Sequence, residues 1–525
     1  MTMSVGDSRV IFSTEKGLRR VYWGSSSFLE LELSAATVRL GEIQMHTTPP
    51  SETAGGPQRS ARFTANLVRS TLVAALGGLL FGFDTAVIAG TTAALRQVFH
   101  LSVGALGFAV ASALIGTVFG ALLSGKPGDR FGRRDSLKAT GLLFFVSGLG
   151  CALAWNLESL VVFRFLGGLG IGAASVLGPM YLAEIAPAQW RGRLVGFFQF
   201  NIVLGILLAY LSNYLLGQAG LGAAEWRWKL GVNAVPAALF FVMLFTIPRS
   251  PRWLVKQGRV DEARTVLRLV GEPDVENELA DIVHSVEHER GRKADALFQR
   301  AYRLPIFLAV SIAVFNQLSG INALLYYLND IFAAAGFNKV SSDLQAVAIG
   351  ATNLVFTMIA MSVIDKIGRK VLLLVGSVGT AFCLAGVAFI FFTQQHQHLL
   401  VWLLVGYIAC FAFSQGAVIW VYISEVFPNR VRAQGQALGS FTHWFMCALV
   451  TFTFPILAKT SGGYPFVFFS VMMVVQLVVV WLAYPETKGI TLEELQRKLR
   501  IEGAPPPRVR SAAGGVPPGA EADRP

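Results

Sequence analysis

Apolar stretches long enough to cross a bilayer recur twelve times along this chain, and that recurrence limits its fold more than any other feature. The windows run over 67–94, 104–124, 136–156, 159–183, 194–216, 230–248, 304–329, 342–364, 371–393, 400–424, 433–457 and 464–484. In hydrocarbon every backbone amide and carbonyl must be satisfied within the protein, which leaves the α-helix for runs of about 20 residues. With 54% hydrophobic and only 14% charged residues over 525 positions, the composition excludes an ordinary soluble domain. The expected fold is an all-α membrane protein with twelve transmembrane helices.

The chain is also written twice. Residues 128–134 read GDRFGRR and residues 364–370 read IDKIGRK; Glu184 with Arg191 is matched by Glu425 with Arg432; and Pro248-Arg249-Ser250-Pro251 is matched by Pro485-Glu486-Thr487. Two six-helix halves, 67–248 and 304–485, follow from this duplication, with a substrate expected between them near the bilayer midplane. The polar, amphipathic stretch 249–303 is expected to form short helices linking the halves. In 486–525 one short helix (ITLEELQRKLR) precedes a disordered Gly/Pro/Ala-rich tail. Residues 1–66 are expected to be a disordered extension without a cleaved signal sequence, and Met45 is an alternative translation start.

The net charge of +12 gathers in alternate short loops: Lys126, Arg130, Arg133, Arg134, Lys138, Arg191, Arg193, Lys366, Arg369, Lys370, Arg430 and Arg432 share one side. Topology therefore accounts for the basic balance without nucleic acid. The positive-inside rule puts both termini in the cytoplasm of a multi-pass protein of the cell (inner) membrane. Cys151, Cys383, Cys410 and Cys447 sit in or beside apolar runs without CxxC spacing, as core packing residues do. The glycine runs at Gly77, Gly78 and Gly82 and at Gly167, Gly168, Gly170 and Gly172 lie inside apolar segments with no preceding strand. They read as close helix contacts and not as a nucleotide loop. Nothing in the sequence calls for a metal, a cofactor or an enzyme's nucleophile triad.

Over residues 67 to 500 the chain resembles the sugar porter family of the major facilitator superfamily. The resemblance rests on GGLLFGFDTAVIAG (77–90), GDRFGRR, RFLGGLGIG (164–172), the Glu184 and Arg191 pair, SPRWL (250–254), NQLSGINALLYY (316–327), DKIGRK, SEVFPNRVR (424–432) and PETKG (485–489), in that order. It implies the major facilitator fold, a monosaccharide as cargo, and a monomer in the lipid bilayer. In the family, proton-coupled members carry an acid at the position of Asp84 and passive facilitators a neutral amide.

Asp84 stands inside an apolar helix, where a charge costs about 2.5 to 3.5 kcal/mol and so needs an interior partner, for which Arg164 is the candidate. Burial and a neighbouring guanidinium act oppositely on its proton affinity, so the pair reads either as a proton-coupling site or as a static tie between helices. Gln199, Gln317, Asn322 and Asn353 are uncharged amides in apolar helices, suited to sugar hydroxyls; Trp420 and Trp444 suit the C–H face of the ring. The resemblance assigns these six to sugar binding. Asn316 stands where the family usually has glutamine. His443 stands where it commonly has glutamine or asparagine, and reads as a hydroxyl ligand, a second proton-linked group or a packed neutral ring. The tenth span reads GAVIW without the usual prolines, which predicts a less broken helix. Arg249 replaces an expected acid, which predicts a missing or rerouted ionic tie.

Asp129, Arg133 and Arg134, and in the second half Asp365, Arg369 and Lys370, are expected to pair with Glu184, Arg191, Glu425 and Arg432. Such a network of exposed pairs, each contributing about 0 to 1 kcal/mol, would favour the outward-facing state when formed and be released in the inward-facing one; the bland alternative is positive-inside topology alone. The expected activity is import of a monosaccharide with a proton by alternating access. The alternatives are a passive sugar facilitator and a non-transporting sugar receptor.

Overall fold

The protein is represented by a computed structural model that describes residues 3–6, 9–14, 17–21, 63–291, 296–428, 430–490, 494, 495, 497 and 499. It divides into two units, Met1–Gln58 and Arg59–Pro525. In the first, β1 (Met3–Gly6), β2 (Arg9–Thr14) and β3 (Gly17–Val21) pair antiparallel in sequence order, with Met3 opposite Phe12 and Val10 opposite Val21. Strands thus stand where the sequence suggests a disordered extension. Val10, Ile11, Phe12 and Val21 are residues that favour pleated backbone. Residues 22–62 and the Gly/Pro/Ala-rich tail lie outside the described residues.

The second unit is helical. Its first half contains α1 (Ala65–Val87), α2 (Thr92–Val98), α3 (Val103–Leu123), α4 (Gly125–Phe131), α5 (Arg133–Ala152), α6 (Leu157–Ile185), α7 (Arg191–Gln218), α8 (Glu225–Gly231) and α9 (Ala234–Met243). Three short helices follow: α10 (Pro251–Lys256), α11 (Val260–Leu269) and α12 (Val275–Gly291). The second half contains α13 (Arg303–Leu318), α14 (Ile321–Tyr326), α15 (Leu328–Ala334), α16 (Lys339–Ile367), α17 (Arg369–Thr393), α18 (Leu399–Phe413), α19 (Gln415–Val426), α20 (Arg432–Thr460) and α21 (Tyr464–Ala483).

Ten segments among the described residues are long and apolar enough to cross a membrane. The other two expected spans differ for visible reasons: α5 opens on Arg133, Arg134 and Asp135, and the sixth span is interrupted between α8 and α9 at Val232 and Asn233. Large apolar side chains such as Val235, Phe382, Trp402, Trp481 and Leu482 point outward and are exposed, as a surface facing lipid requires.

The repeated signatures have the same backbone. Gly132 (φ 90°, ψ 155°) separates α4 from α5, and Gly368 (φ 103°, ψ 157°) separates α16 from α17. That conformation is open to glycine and strained for any residue with a Cβ, which explains the shared glycine in DRFGRR and DKIGRK.

Three apolar clusters organise the interior. One lies in the first half at the end bearing the signatures and includes Leu177, Tyr181, Phe240 and Leu254. Its counterpart in the second half includes Ile312, Leu373, Tyr422 and Phe427. The third, at the opposite end, draws on both halves, joining Phe83, Leu95, Ile206 and Tyr210 to Leu324, Tyr326, Ile349 and Phe469. The Tyr210 hydroxyl also donates to the Leu325 carbonyl at 2.8 Å. The halves therefore share one core at the opposite end and keep separate cores at the signature end.

Candidate functional site

In the seventh span the helix ends at Leu318 and restarts at Ile321, with Gly320 left-handed (φ 84°) between them. A Cβ at Gly320 would lie 2.3 Å from the Phe469 ring, so this break needs glycine twice over. The turn folds Asn322 back so that its Nδ2 donates to Gln317 Oε1 at 2.8 Å. Gln317 Nε2 donates to Asn316 Oδ1 at 3.0 Å and lies 3.3 Å from both ring nitrogens of His443. Asn316 Nδ2 in turn donates to the Gln415 carbonyl at 3.4 Å.

His443 is buried between two indoles, its ring centre 4.9 Å from Trp420 and 4.9 Å from Trp444. No carboxylate pairs with it among the described residues. Trp444 meets Phe81 of α1 at 5.6 Å, bringing the other half to the same place. Amides beside an aromatic wall can exchange hydrogen bonds with hydroxyls and cover an apolar ring face. Asn316, Gln317, Asn322, Trp420, His443 and Trp444 are thus brought together. Gln199, half-buried on α7, has no side-chain bond to this group, and Asn353 Oδ1 on α16 accepts from Thr357 at 3.4 Å. Phe81 is a contributor that sequence reading passed over, because an aromatic in an apolar helix carries no local signal.

The tenth span is broken despite its missing prolines, which corrects the expectation of a more continuous helix. Ser414 leaves helical geometry (φ −120°, ψ −90°), and its hydroxyl donates to the Cys410 carbonyl at 2.7 Å. Such serine back-bonding bends helices.

Asp84 and Arg164 do meet inside the first half, with Nη1 to Oδ2 at 3.6 Å and both side chains buried. A third member was missed by sequence reading: Asn233, at the interruption of the sixth span, donates from Nδ2 to Asp84 Oδ1 at 3.4 Å. Its available signal is an intramembrane amide three residues before Pro236. Both ties to Asp84 are long, and Arg164 Nε and Nη2 have no protein acceptor among the described residues. The carboxylate is held close to its partners without being locked to them.

At the signature end, Arg133 bonds Asp129 at 2.8 Å, Glu184 at 3.0 Å and the Gly128 carbonyl at 2.7 Å. Ser250 Oγ donates to the other Glu184 oxygen at 2.5 Å. In the second half Arg369 bonds Asp365 and Glu425, each at 2.9 Å, and Thr487 donates to Glu425 at 2.6 Å. Both arginines are buried, so the ties to Glu184 and Glu425 are not the exposed pairs expected from sequence, whereas the partners Asp129 and Asp365 are exposed. Four expected members are placed differently. Arg191 pairs with Glu278 of α12 at 3.3 Å; Arg432 donates to the Phe427 carbonyl at 3.3 Å; Arg134 pairs with Asp135 at 3.1 Å; and Lys370 donates to the Trp481 carbonyl at 2.9 Å. Their register along the helix sends them toward the linker, a helix end or a neighbouring backbone.

Arg249 shows how the expected tie is rerouted. In the second half Glu486 accepts from the amides of Arg369 (2.9 Å) and Lys370 (3.0 Å) and so caps the start of α17, a favourable place for negative charge. In the first half the matching residue is Arg249, which pairs at 3.0 Å with Asp135 in the first turn of α5. The acid has moved onto the helix and the loop supplies the cation. Partial burial pushes the Asp135 carboxyl up, but the hydrogen bond from Lys138, the charges of Arg134 and Lys138 and the bond from Arg249 together hold it below its ordinary range. For Glu486, partial burial is likewise outweighed, here by four backbone N–H donors.

A profile of the family described as "Sugar (and other) transporter" matches residues 70–499. Relatives include the D-xylose-proton symporter of Escherichia coli (strain K12), 39% identical over 81% of this chain and 94% of that protein. The arabinose-proton symporter of Bacillus subtilis (strain 168) is 34% identical over 86% of this chain and 99% of that protein. Among solved structures, the xylose transporter XylE from E. coli in an inward open conformation matches with a TM-score of 0.74 and 38% identity, covering 82% of this chain and 99% of that one. With a family match over most of its length and relatives and a solved structure matched over more than four-fifths of it, the chain is a transporter and not an enzyme, and it belongs to the sugar porter family of the major facilitator superfamily.

Proposed function

We propose that this protein imports a monosaccharide together with a proton by alternating access, the sugar lying against Gln317, Asn322, Asn316, His443, Trp420 and Trp444. Gln199 and Asn353 would join as the halves move. The single observation that carries the coupling is Asp84, a buried carboxylate 3.6 Å from Arg164 and 3.4 Å from Asn233. When ionised, Asp84 is drawn to Arg164; when protonated, it loses that attraction and α1 is freer to move relative to α6. Because α1 also carries Phe81 to the sugar-site indole Trp444, proton binding and sugar binding act on one helix.

The signature end is the cytoplasmic end of a monomer in the cell (inner) membrane, with both termini on that side, as the distribution of basic loops supports. On that orientation the two halves share an apolar core at the outside and keep separate cores inside. The burial of His443 between two indoles favours a neutral ring acting as a hydroxyl ligand over a second proton-linked group.

The test is the external pH of a lightly buffered, de-energised suspension of cells expressing the protein as hexoses, pentoses and inositols are added in turn. One sugar should alkalinise the medium, and Asp84→Asn should abolish that signal while leaving sugar counterflow. Sugar entry without a pH change in the unaltered protein would make it a passive facilitator.

A further inference from the structure

At the end opposite the signatures lies a charge cluster that the sugar and proton sites do not use. Lys229 of α8 is fully buried, its Nζ 2.8 Å from Glu225 Oε1, 3.5 Å from Asp343 Oδ2 and 3.2 Å from the Gly90 carbonyl. Glu225 belongs to the first half, whereas Asp343 opens α16 in the second and is itself buried. Asn329 of α15 donates to Asp343 Oδ1, and Lys339 of α16 reaches back to Glu225 Oε2 at 2.5 Å. Two cations and two carboxylates thus form a neutral chain, Asp343–Lys229–Glu225–Lys339, that crosses between the two halves twice. A lysine so placed is held by its partners alone, because water cannot replace them while the end is shut.

We infer that Lys229 and Asp343 form the buried latch of this end, setting how readily the opposite gate opens and hence positioning the carrier between its two conformations. The inference rests on the alternating-access reading, since a rigid protein has nothing to latch. Parting the halves separates Lys229 from Asp343 and exposes both to water, while Lys229 keeps Glu225 within its own half. The cross-half bond therefore exists only in the closed state, and an interaction present in one state alone is what shifts a two-state equilibrium. Lys339 also crosses the halves but is 61% exposed at its side chain, so its tie is screened and weaker. Gly217 fits the same picture: a Cβ there would lie 3.0 Å from Asp343 Oδ2.

The experiment is electron spin–spin distance measurement between labels at Glu158 in the first half and His398 in the second, both exposed at this end, on a background with the four native cysteines replaced. Asp343→Asn leaves Lys229 neutralised by Glu225 and should raise the ratio of long to short distances about tenfold, a change of about 1.4 kcal/mol. Lys339→Gln should change it less than threefold. The paired neutral variant Lys229→Met with Asp343→Leu removes the charges together and guards against misfolding from an orphaned ion; it should open the end as Asp343→Asn does. Unchanged distributions in both Asp343→Asn and the paired variant would overturn the latch. No sugar or proton is needed for the measurement, so failure of the latch and failure of the proposed transport reaction are separately visible.

Discussion

Replacing Arg133 with glutamine tests whether the duplicated signature is a buried anchor or a solvated charge cluster. Arg133 is 3% exposed and makes bonds to Asp129, Glu184 and the Gly128 carbonyl. The Asp129 side chain is 62% exposed, so that bond contributes about 0 to 1 kcal/mol. The Glu184 side chain is 11% exposed, and removing the partner of a buried ion costs about 3 to 5 kcal/mol. Ser250 continues to satisfy one Glu184 oxygen, which sets the expected loss at the lower end, about 3 kcal/mol. At about 2 to 4 °C per kcal/mol for a unit the size of one half, the unfolding midpoint should fall by about 6 to 12 °C, whereas Asp129→Asn should lower it by less than about 4 °C. Thermal unfolding of the purified protein in detergent, followed by tryptophan fluorescence, reads both. Equal small shifts for Arg133→Gln and Asp129→Asn would refute the reasoning and return the signature to a role in topology alone.

Two further outcomes follow from the geometry. Gly168→Ala would place a methyl group 1.9 Å from the Ala113 carbonyl, where α3 and α6 touch backbone to backbone; expression of folded carrier, judged by a single symmetric peak in size-exclusion chromatography, should be lost or reduced severalfold. Asp135 is held below its ordinary range, so its ties stabilise the protein fully above the unfolded carboxylate pKa of about 3.9 and are lost as pH falls through the lower folded value. Arg249→Glu removes one of those ties and sets a carboxylate beside Asp135. The unfolding midpoint should then lie below that of the unaltered protein near neutral pH, and the difference should shrink as pH falls toward 3, as a melting series from pH 3 to 7 would show.

Local features read directly from the sequence where one residue type admits one explanation. The twelve apolar windows required helices, the two equivalent glycines of the signatures required a special backbone, and a charge in an apolar run required a partner for Asp84. The break at Ser414 was not legible, because a serine's hydroxyl can face outward or bond its own helix, and the choice depends on packing. Asn233 was passed over because its partner lies on α1, far away in sequence, and a lone amide in an apolar segment has many possible neighbours. Arg191 and Arg432 were assigned partners by analogy between repeats, yet a residue's register around its helix decides which neighbour it meets.

What the sequence determined by itself was the membrane class, the duplication and the set of polar side chains that had to find partners inside. Which partners they found was decided by the tertiary structure: Arg249 with Asp135, Lys229 with Asp343, His443 between two indoles. The reason is physical. Hydrophobic periodicity and glycine geometry act over a few residues and are written locally, whereas a buried charge is satisfied by whatever group the packing of distant helices brings within about 3 Å.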